Sequence, residues 1–141
     1  MEIRPFTLAD EKALVHLWER CSLTRQWNDP HKDILRKLAV RPDLLLVGVI
    51  DGELVGSVMA GYDGHRGWIN YLAVDPEHRR KQMGRALMAE AERRLLAEGC
   101  PKVNLQVRAG NDAVVAFYER MGYSVEEVVS MGKRLIQDGR A

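Results

Sequence analysis

Apolar positions recur along this chain with two periods, and each switch between them marks an element. Leu8, Leu14, Leu17, Trp18 and Cys21 fall at three- and four-residue spacing, with Asp10, Glu11, Lys12, Glu19 and Arg20 between them. That spacing predicts a helix with one face on a sheet. Thr7 followed by Asp10 supplies its start, a capping box with Asp in place of the usual Glu or Gln, and the apolar residues 3–6 before it read as a first strand. Asn28-Asp29-Pro30 opens a second helix, with Asp29 as cap and Pro30 at the first helical position, where its missing N–H costs nothing. Ile34, Leu35 and Leu38 carry it to about Ala39. Residues 44–50 and 54–62 are apolar runs joined by the turn pair Asp51-Gly52, the pattern of a β-hairpin. Gly56 and Gly61 weaken its second strand and read as a bulge, a close backbone approach or simply tolerated glycines. In residues 68–75, Trp68, Asn70, Leu72 and Val74 alternate with Ile69, Tyr71 and Ala73, so a strand with two largely apolar faces is expected in mid-sheet.

Helical spacing then returns. Leu87, Met88, Ala91, Leu95 and Leu96 point inward and Glu90, Glu92, Arg93, Arg94 and Glu98 outward along a long helix that Gly99 and Pro101 end. Val103, Leu105 and Val107 alternate with Asn104, Gln106 and Arg108 as a half-buried strand, and strand–helix–strand implies a parallel pair with a right-handed crossover. Asn111 or Asp112 caps a shorter helix with Val114, Phe117, Tyr118 and Met121 on one side, and Gly122 stops it. Residues 123–129 and 132–136 read as a final hairpin, whose edge offers a homodimer a surface for sheet extension. The resulting expectation is α/β, one domain over residues 1–141, with a mixed and mostly antiparallel sheet, one parallel strand pair and flanking helices.

Composition narrows the function. Lys and Arg total 21 against 20 acidic residues, a net charge of +1, without the basic excess of a nucleic-acid binder. Cys21 and Cys100 are too few for a disulfide framework or a zinc site, so no metal is expected and a reducing cytoplasm fits. No signal peptide or membrane span is read. Cationic character is instead local, in Arg79-Arg80-Lys81-Gln82-Met83-Gly84-Arg85, where the central strand turns into the long helix. Backbone N–H groups at a helix start lack intrahelical partners and carry the positive end of the dipole. Cations placed there as well predict a phosphate ligand. The switch from antiparallel to parallel pairing puts that turn at the carboxyl end of a strand, where α/β sheets bind ligands.

Two separated motifs, Asn70-Tyr71-Leu72-Ala73-Val74-Asp75-Pro76-Glu77-His78-Arg79 and Asn111 with Ala116-Phe117-Tyr118-Glu119-Arg120-Met121-Gly122-Tyr123, resemble the GNAT superfamily of N-acetyltransferases, in order and spacing. The chain looks most similar to the bacterial branch that includes ribosomal-protein and small-amine acetyltransferases. The resemblance implies acetyl-CoA as cosubstrate and a primary amine as acceptor: a protein N-terminus, an amino acid or a small amine. It implies a pyrophosphate held by Arg79 to Arg85, that is by Arg79, Arg80, Lys81, Gln82, Met83, Gly84 and Arg85. Gln82 stands where the family's motif has its first glycine. By the same resemblance the backbone of Leu72, Ala73 and Val74 holds the pantetheine arm, Asn111 touches it, the Leu72 N–H stabilises the oxyanion, and Tyr118 protonates the departing thiolate. A phenol near pKa ~10 suits that role. Helix cap for Asn111 and core aromatic for Tyr118 are the structural alternatives. A general base is not apparent. Asn70 occupies the matching strand, Asp63, His65 and Glu53 lie in loops or turns, and deprotonation is left to ordered water. Trp27 is either a pocket wall or a packing residue. A non-catalytic acyl-CoA sensor is the alternative function.

Overall fold

Asp10 shapes the first corner of the fold. In the computed structural model, which describes residues 1–79 and 82–139, its carboxylate accepts from the Thr7 backbone N–H at 2.8 Å and from the Thr7 hydroxyl at 3.1 Å. Arg4, on strand β1 (Glu2–Pro5), grips the same carboxylate through two nitrogens at 2.7 and 2.9 Å. A 3-10 turn at Leu8–Asp10 then leads into helix α1 (Glu11–Arg20). Leu14, Leu17 and Trp18 are fully buried as their spacing predicts, but Leu8 is 68% exposed. The tighter 3-10 rotation takes it off the α1 face. Helix α2 (Pro30–Leu38) starts where expected, with the Asp29 side chain accepting from the His31 N–H at 2.9 Å. Ile34 is buried beneath it and Leu35 is exposed.

Strands β2 (Leu45–Ile50), β3 (Glu53–Tyr62), β4 (Gly67–Val74) and β5 (Val103–Leu105) complete a sheet of order β1-β2-β3-β4-β5. All neighbours are antiparallel except β4 and β5. Asp51 and Gly52 take φ of +49° and +80°, the paired left-handed conformations of a tight hairpin turn. Between β4 and β5 runs helix α3 (Met83–Ala97), which closes with Gly99 at φ +85° while the Cys100 N–H returns to the Leu95 carbonyl. Helix α4 (Asp112–Arg120) follows β5. Helices α1 and α2 pack on one face, where Leu14, Leu17, Trp18 and Ile34 meet Leu45, Val47 and Ala73. Helices α3 and α4 cover the other, where Leu87, Met88, Leu95 and Tyr118 meet Leu46, Val58, Ala60 and Ile69.

Gly48 and Gly56 are cross-strand partners, and a Cβ on Gly56 would lie 2.8 Å from Leu87 Cδ1 and 3.3 Å from the Ala73 carbonyl oxygen. Gly56 is therefore a site of close approach, which lets α3 sit low on the sheet. A Cβ on Gly61 would meet only the Lys37 ammonium, at 3.7 Å.

Further sequence expectations need correction. Leu96, read as inward on α3, is 72% exposed, and β5 ends at Leu105, short of Val107. Strict alternation along β4 fails at Tyr71, whose φ is +51° and opposite which the β3 register slips between Ser57 and Met59. The bulge inverts the alternation. Leu72 and Val74 therefore pack with Ile69 against the α3 and α4 layer, while Tyr71 and Ala73 pack toward α1. The predicted final hairpin is also absent, since residues 121–139 contain no strand. Side chains tie that segment down instead: Lys102 and Asn104 bind Glu126, and Gln106 binds Ser130. These contacts with β5 and its surroundings take the place of a backbone ladder, so the expected edge for sheet extension is not formed.

Candidate active site

The bulge at Tyr71 is held by a relay of buried groups. The Trp18 indole N–H donates to Ser57 Oγ at 2.9 Å, and the Ser57 hydroxyl donates to the Tyr71 carbonyl at 2.8 Å. The Trp18 and Tyr71 rings stack with centroids 3.8 Å apart. From there the Tyr71 hydroxyl donates to Asp33 Oδ2 at 2.6 Å, and burial with this carboxylate pushes the phenol's pKa well above its ordinary value. One continuous set of contacts thus joins α1, β3, β4 and α2.

Past Ile69, just before the bulge, β4 loses its parallel neighbour. The strand runs to Val74, but β5 pairs with it only at Gly67, Trp68 and Ile69. Leu72, Ala73 and Val74 therefore border a gap in the sheet, and Ala73 is the most buried of the three. At the end of β4, Asp75 accepts from the Glu77 N–H at 2.9 Å and from Arg20 at 2.6 Å, fixing a 3-10 turn at Pro76–His78. The hydrogen bond from Glu77 is the main reason its carboxyl pKa is lowered. Arg79 is exposed, with Nε 3.3 Å from the Val74 carbonyl. Arg80 and Lys81 lie outside the described residues. Gln82 caps α3 at φ +59°, a left-handed conformation suited to glycine, and its side chain makes no cap bond. Met83 is buried, Arg85 is exposed, and the first turn of α3 carries no acidic side chain.

Helix α4 closes on this corner. Phe117 Cζ lies 3.3 Å from where a Cβ on Gly84 would stand, and Val74 Cγ2 lies 3.7 Å from the same point. Tyr118 stands edge-on to Phe117 and Tyr123, and burial pushes its phenol up to about 12. It lines a cavity of about 840 Å³ between the end of α3, β5 and residues 121–130, and Leu72, Ala73, Val74 and Gly84 are not among the lining residues. Asn111 sits at the N-cap position of α4, yet its side chain makes no cap hydrogen bond.

A smaller cavity of about 430 Å³ opens on the α2 side, where Asn28, Asp33, Arg36 and Lys37 face Met59, Asn70 and Tyr71. Sequence reasoning missed Asp33, Lys37 and Tyr71. Their signal is the i,i+4 pair Asp33 and Lys37 on a helix read only through its apolar residues. Asp63 is occupied in its own turn, accepting from the His65 and Arg66 N–H groups. Neither it nor His65 nor Glu53 lines either cavity. Trp27 is 51% exposed beneath the Arg108 guanidinium and belongs to neither cavity wall.

Residues 12–123 match the acetyltransferase (GNAT) family. The chain belongs to this family. An acetyltransferase of Pectobacterium atrosepticum is 52% identical over 138 residues, covering 98% of each chain. Among solved structures, Naa20 of Chaetomium thermophilum, in complex with a bisubstrate analogue, is 27% identical with a TM-score of 0.73, over 89% of this chain and 72% of its own. The PaiA N-acetyltransferase of Thermoplasma acidophilum, in complex with coenzyme A, shares the fold at 20% identity and a TM-score of 0.70, over 91% and 92% of the two chains. GNAT enzymes take acetyl from acetyl-CoA. The sheet gap, the unacidic helix start and the Gly84 contact give this GNAT chain a cradle of matching chemistry. Among the described residues, no helix is long and apolar enough to cross a membrane.

Proposed function

We propose that this enzyme acetylates a primary amine by direct attack on the acetyl-CoA thioester, with no covalent intermediate on the protein. The observation that carries this reading is the gap where β4 continues past Ile69 without β5. Bound there, the cosubstrate supplies an activated acetyl group. The backbone of Leu72, Ala73 and Val74, on the side where β5 no longer pairs, holds its pantetheine arm, and Asn111, whose side chain makes no cap bond, contributes a side-chain contact. Arg79 and the helix start at Gln82, Met83, Gly84 and Arg85 hold the pyrophosphate, with Arg80 and Lys81 of the same turn assigned to it on sequence alone. The Leu72 N–H stabilises the oxyanion. Tyr118 gives its proton to the departing thiolate, and its raised pKa keeps that proton in place at neutral pH.

Melting curves with acetyl-CoA and with ADP at equal concentration, together with thiol release across a panel of amines, test the proposal. Saturation at about a hundred times Kd adds roughly 2.7 kcal/mol, several degrees in a domain of this size. Acetyl-CoA is expected to raise Tm more than ADP, and thiol release to require an amine. Equal shifts from both ligands would remove the pantetheine gap from the site.

A further inference from the structure

Asp33 and Lys37 stand one helical turn apart on the face of α2 that walls the 430 Å³ cavity. Asp33 is fixed by the Tyr71 hydroxyl, by the Asn28 amide at 3.3 Å and by Arg36 at 3.2 Å. Lys37 is different. It is half-buried, and among the described residues its ammonium makes neither a hydrogen bond nor an ion pair. Burial pulls its pKa down, and Asp43, the acid that acts on it, is already engaged by Arg41. Its ammonium rests over the bare backbone of Gly61, at a point that a larger side chain would fill.

Partial burial of a charge without a counter-charge is unfavourable, and it persists where a ligand completes the pairing. The cavity wall carries Asp33, Arg36 and Lys37, and because Asp138 pairs with Arg36 at 2.5 Å, Asp33 and Lys37 are left to face the cavity as one acid and one base. A simple alkylamine would meet a favourable charge at Asp33 and a repulsive one at Lys37. An acceptor that also carries a carboxylate satisfies both. Nearby, Asp138 is buried against Arg36 and the Asp29 N–H, the Lys32 ammonium reaches the Asp138 carbonyl, and Arg134 binds Asn28. The protein's own C-terminal segment thus covers that flank of α2, which favours a small acceptor over a polypeptide. A volume near the lower end of ligand cavities, about 300–1,000 Å³, agrees.

We infer that this cavity is the acceptor site and that it takes a free amino acid, with Asp33 beside the amine and Lys37 on the carboxylate. The inference rests on the acetyl-transfer reading, because Asn70 and Tyr71 on the cavity wall immediately precede Leu72. The test compares wild type, Lys37→Met, which keeps the aliphatic stem, and Lys37→Glu, all confirmed folded by melting. Acceptors are the twenty standard amino acids, their methyl esters and short peptides with free N-termini. Transfer is followed by thiol release, and binding separately by ligand-observed NMR without acetyl-CoA. In the wild type the preferred amino acids are expected to exceed their esters at least about tenfold in both readouts, as a charge-assisted contact implies. Lys37→Met is expected to abolish that preference by weakening the free acids alone, and Lys37→Glu to turn it toward the esters. Equal treatment of acids and esters by the wild type, an equal loss for both in Lys37→Met, or peptides outcompeting amino acids would overturn the inference. Lys37-dependent binding with no transfer to any acceptor would leave the cavity assignment standing and defeat the acetyl-transfer reading. Transfer without the Lys37-dependent preference would do the reverse.

Discussion

A phenol pushed up to about 12 keeps its proton at any pH the enzyme meets, so Tyr118 is suited to donate and unsuited to accept. Tyr118→Phe is expected to lower kcat about a hundredfold while leaving the coenzyme A dissociation constant unchanged, because the hydroxyl acts only as the thiolate leaves. Steady-state turnover beside calorimetry separates the two effects, and wild-type turnover would make Tyr118 a packing aromatic. Gln82 presents the opposite case, a residue whose backbone conflicts with its identity. At φ +59° a side chain costs about 1–2 kcal/mol that glycine avoids, against which glycine loses about 0.4–1 kcal/mol through the unfolded chain. Gln82→Gly is therefore expected to raise stability by about 0.5–1 kcal/mol in denaturant melts, with coenzyme A affinity equal or better. A drop in stability would show that the glutamine side chain makes contacts that outweigh its strained backbone.

At the scale of elements, the seating of α3 depends on what is missing beneath Leu87. Gly56→Val would place methyl groups where Leu87 Cδ1 and the Ala73 carbonyl already stand, and overpacking of this kind costs about 1–3 kcal/mol. Thermal melts read that loss, and weaker coenzyme A binding is expected with it, because the turn proposed to hold the pyrophosphate leads into α3. Stability within a few tenths of wild type would mean that α3 lifts without strain. Most elements were legible because their signals are local: Asp29 before Pro30, Thr7 with Asp10, Asp51-Gly52, and Gly99 after a long amphipathic run. The bulge at Tyr71 was not, because an inserted residue leaves a strand equally apolar on paper and only the β3 partner reveals the slip. The final hairpin misled for a related reason. Val125, Val128 and Val129 supply β propensity, but they are exposed, and propensity without a packed face does not make a strand.

For the molecule as a whole, two carboxylates hold distant parts of the chain to the body. Asp10 fastens β1 to the start of α1 and Asp138 fastens the C-terminal segment to α2, each with a pKa drawn from 3.8 to about 2, chiefly by its arginine. Because the folded pKa lies below the ordinary one, the stabilisation is fully present above about pH 4 and fades as pH falls toward 2. Acid titration of the unfolding free energy should show that decline, and Asp10→Asn and Asp138→Asn should flatten it, their gap to wild type closing as pH falls through 2. Parallel curves at every pH would detach both residues from acid stability. The site was legible in part. The proposed donor half lies in contiguous words, residues 70–79 and 116–123, whereas the cavity proposed for the acceptor is assembled from α2, β3 and β4, whose proximity no spacing announces. The stacked pair at the bulge also gives the molecule an optical handle. Of its three tryptophans, Trp18 is fully buried against Tyr71, while Trp27 and Trp68 are open to solvent. An aqueous quencher should silence the two exposed indoles and leave a blue-shifted emission from Trp18 alone, so that any ligand moving Tyr71 registers as a change in colour or intensity without a label.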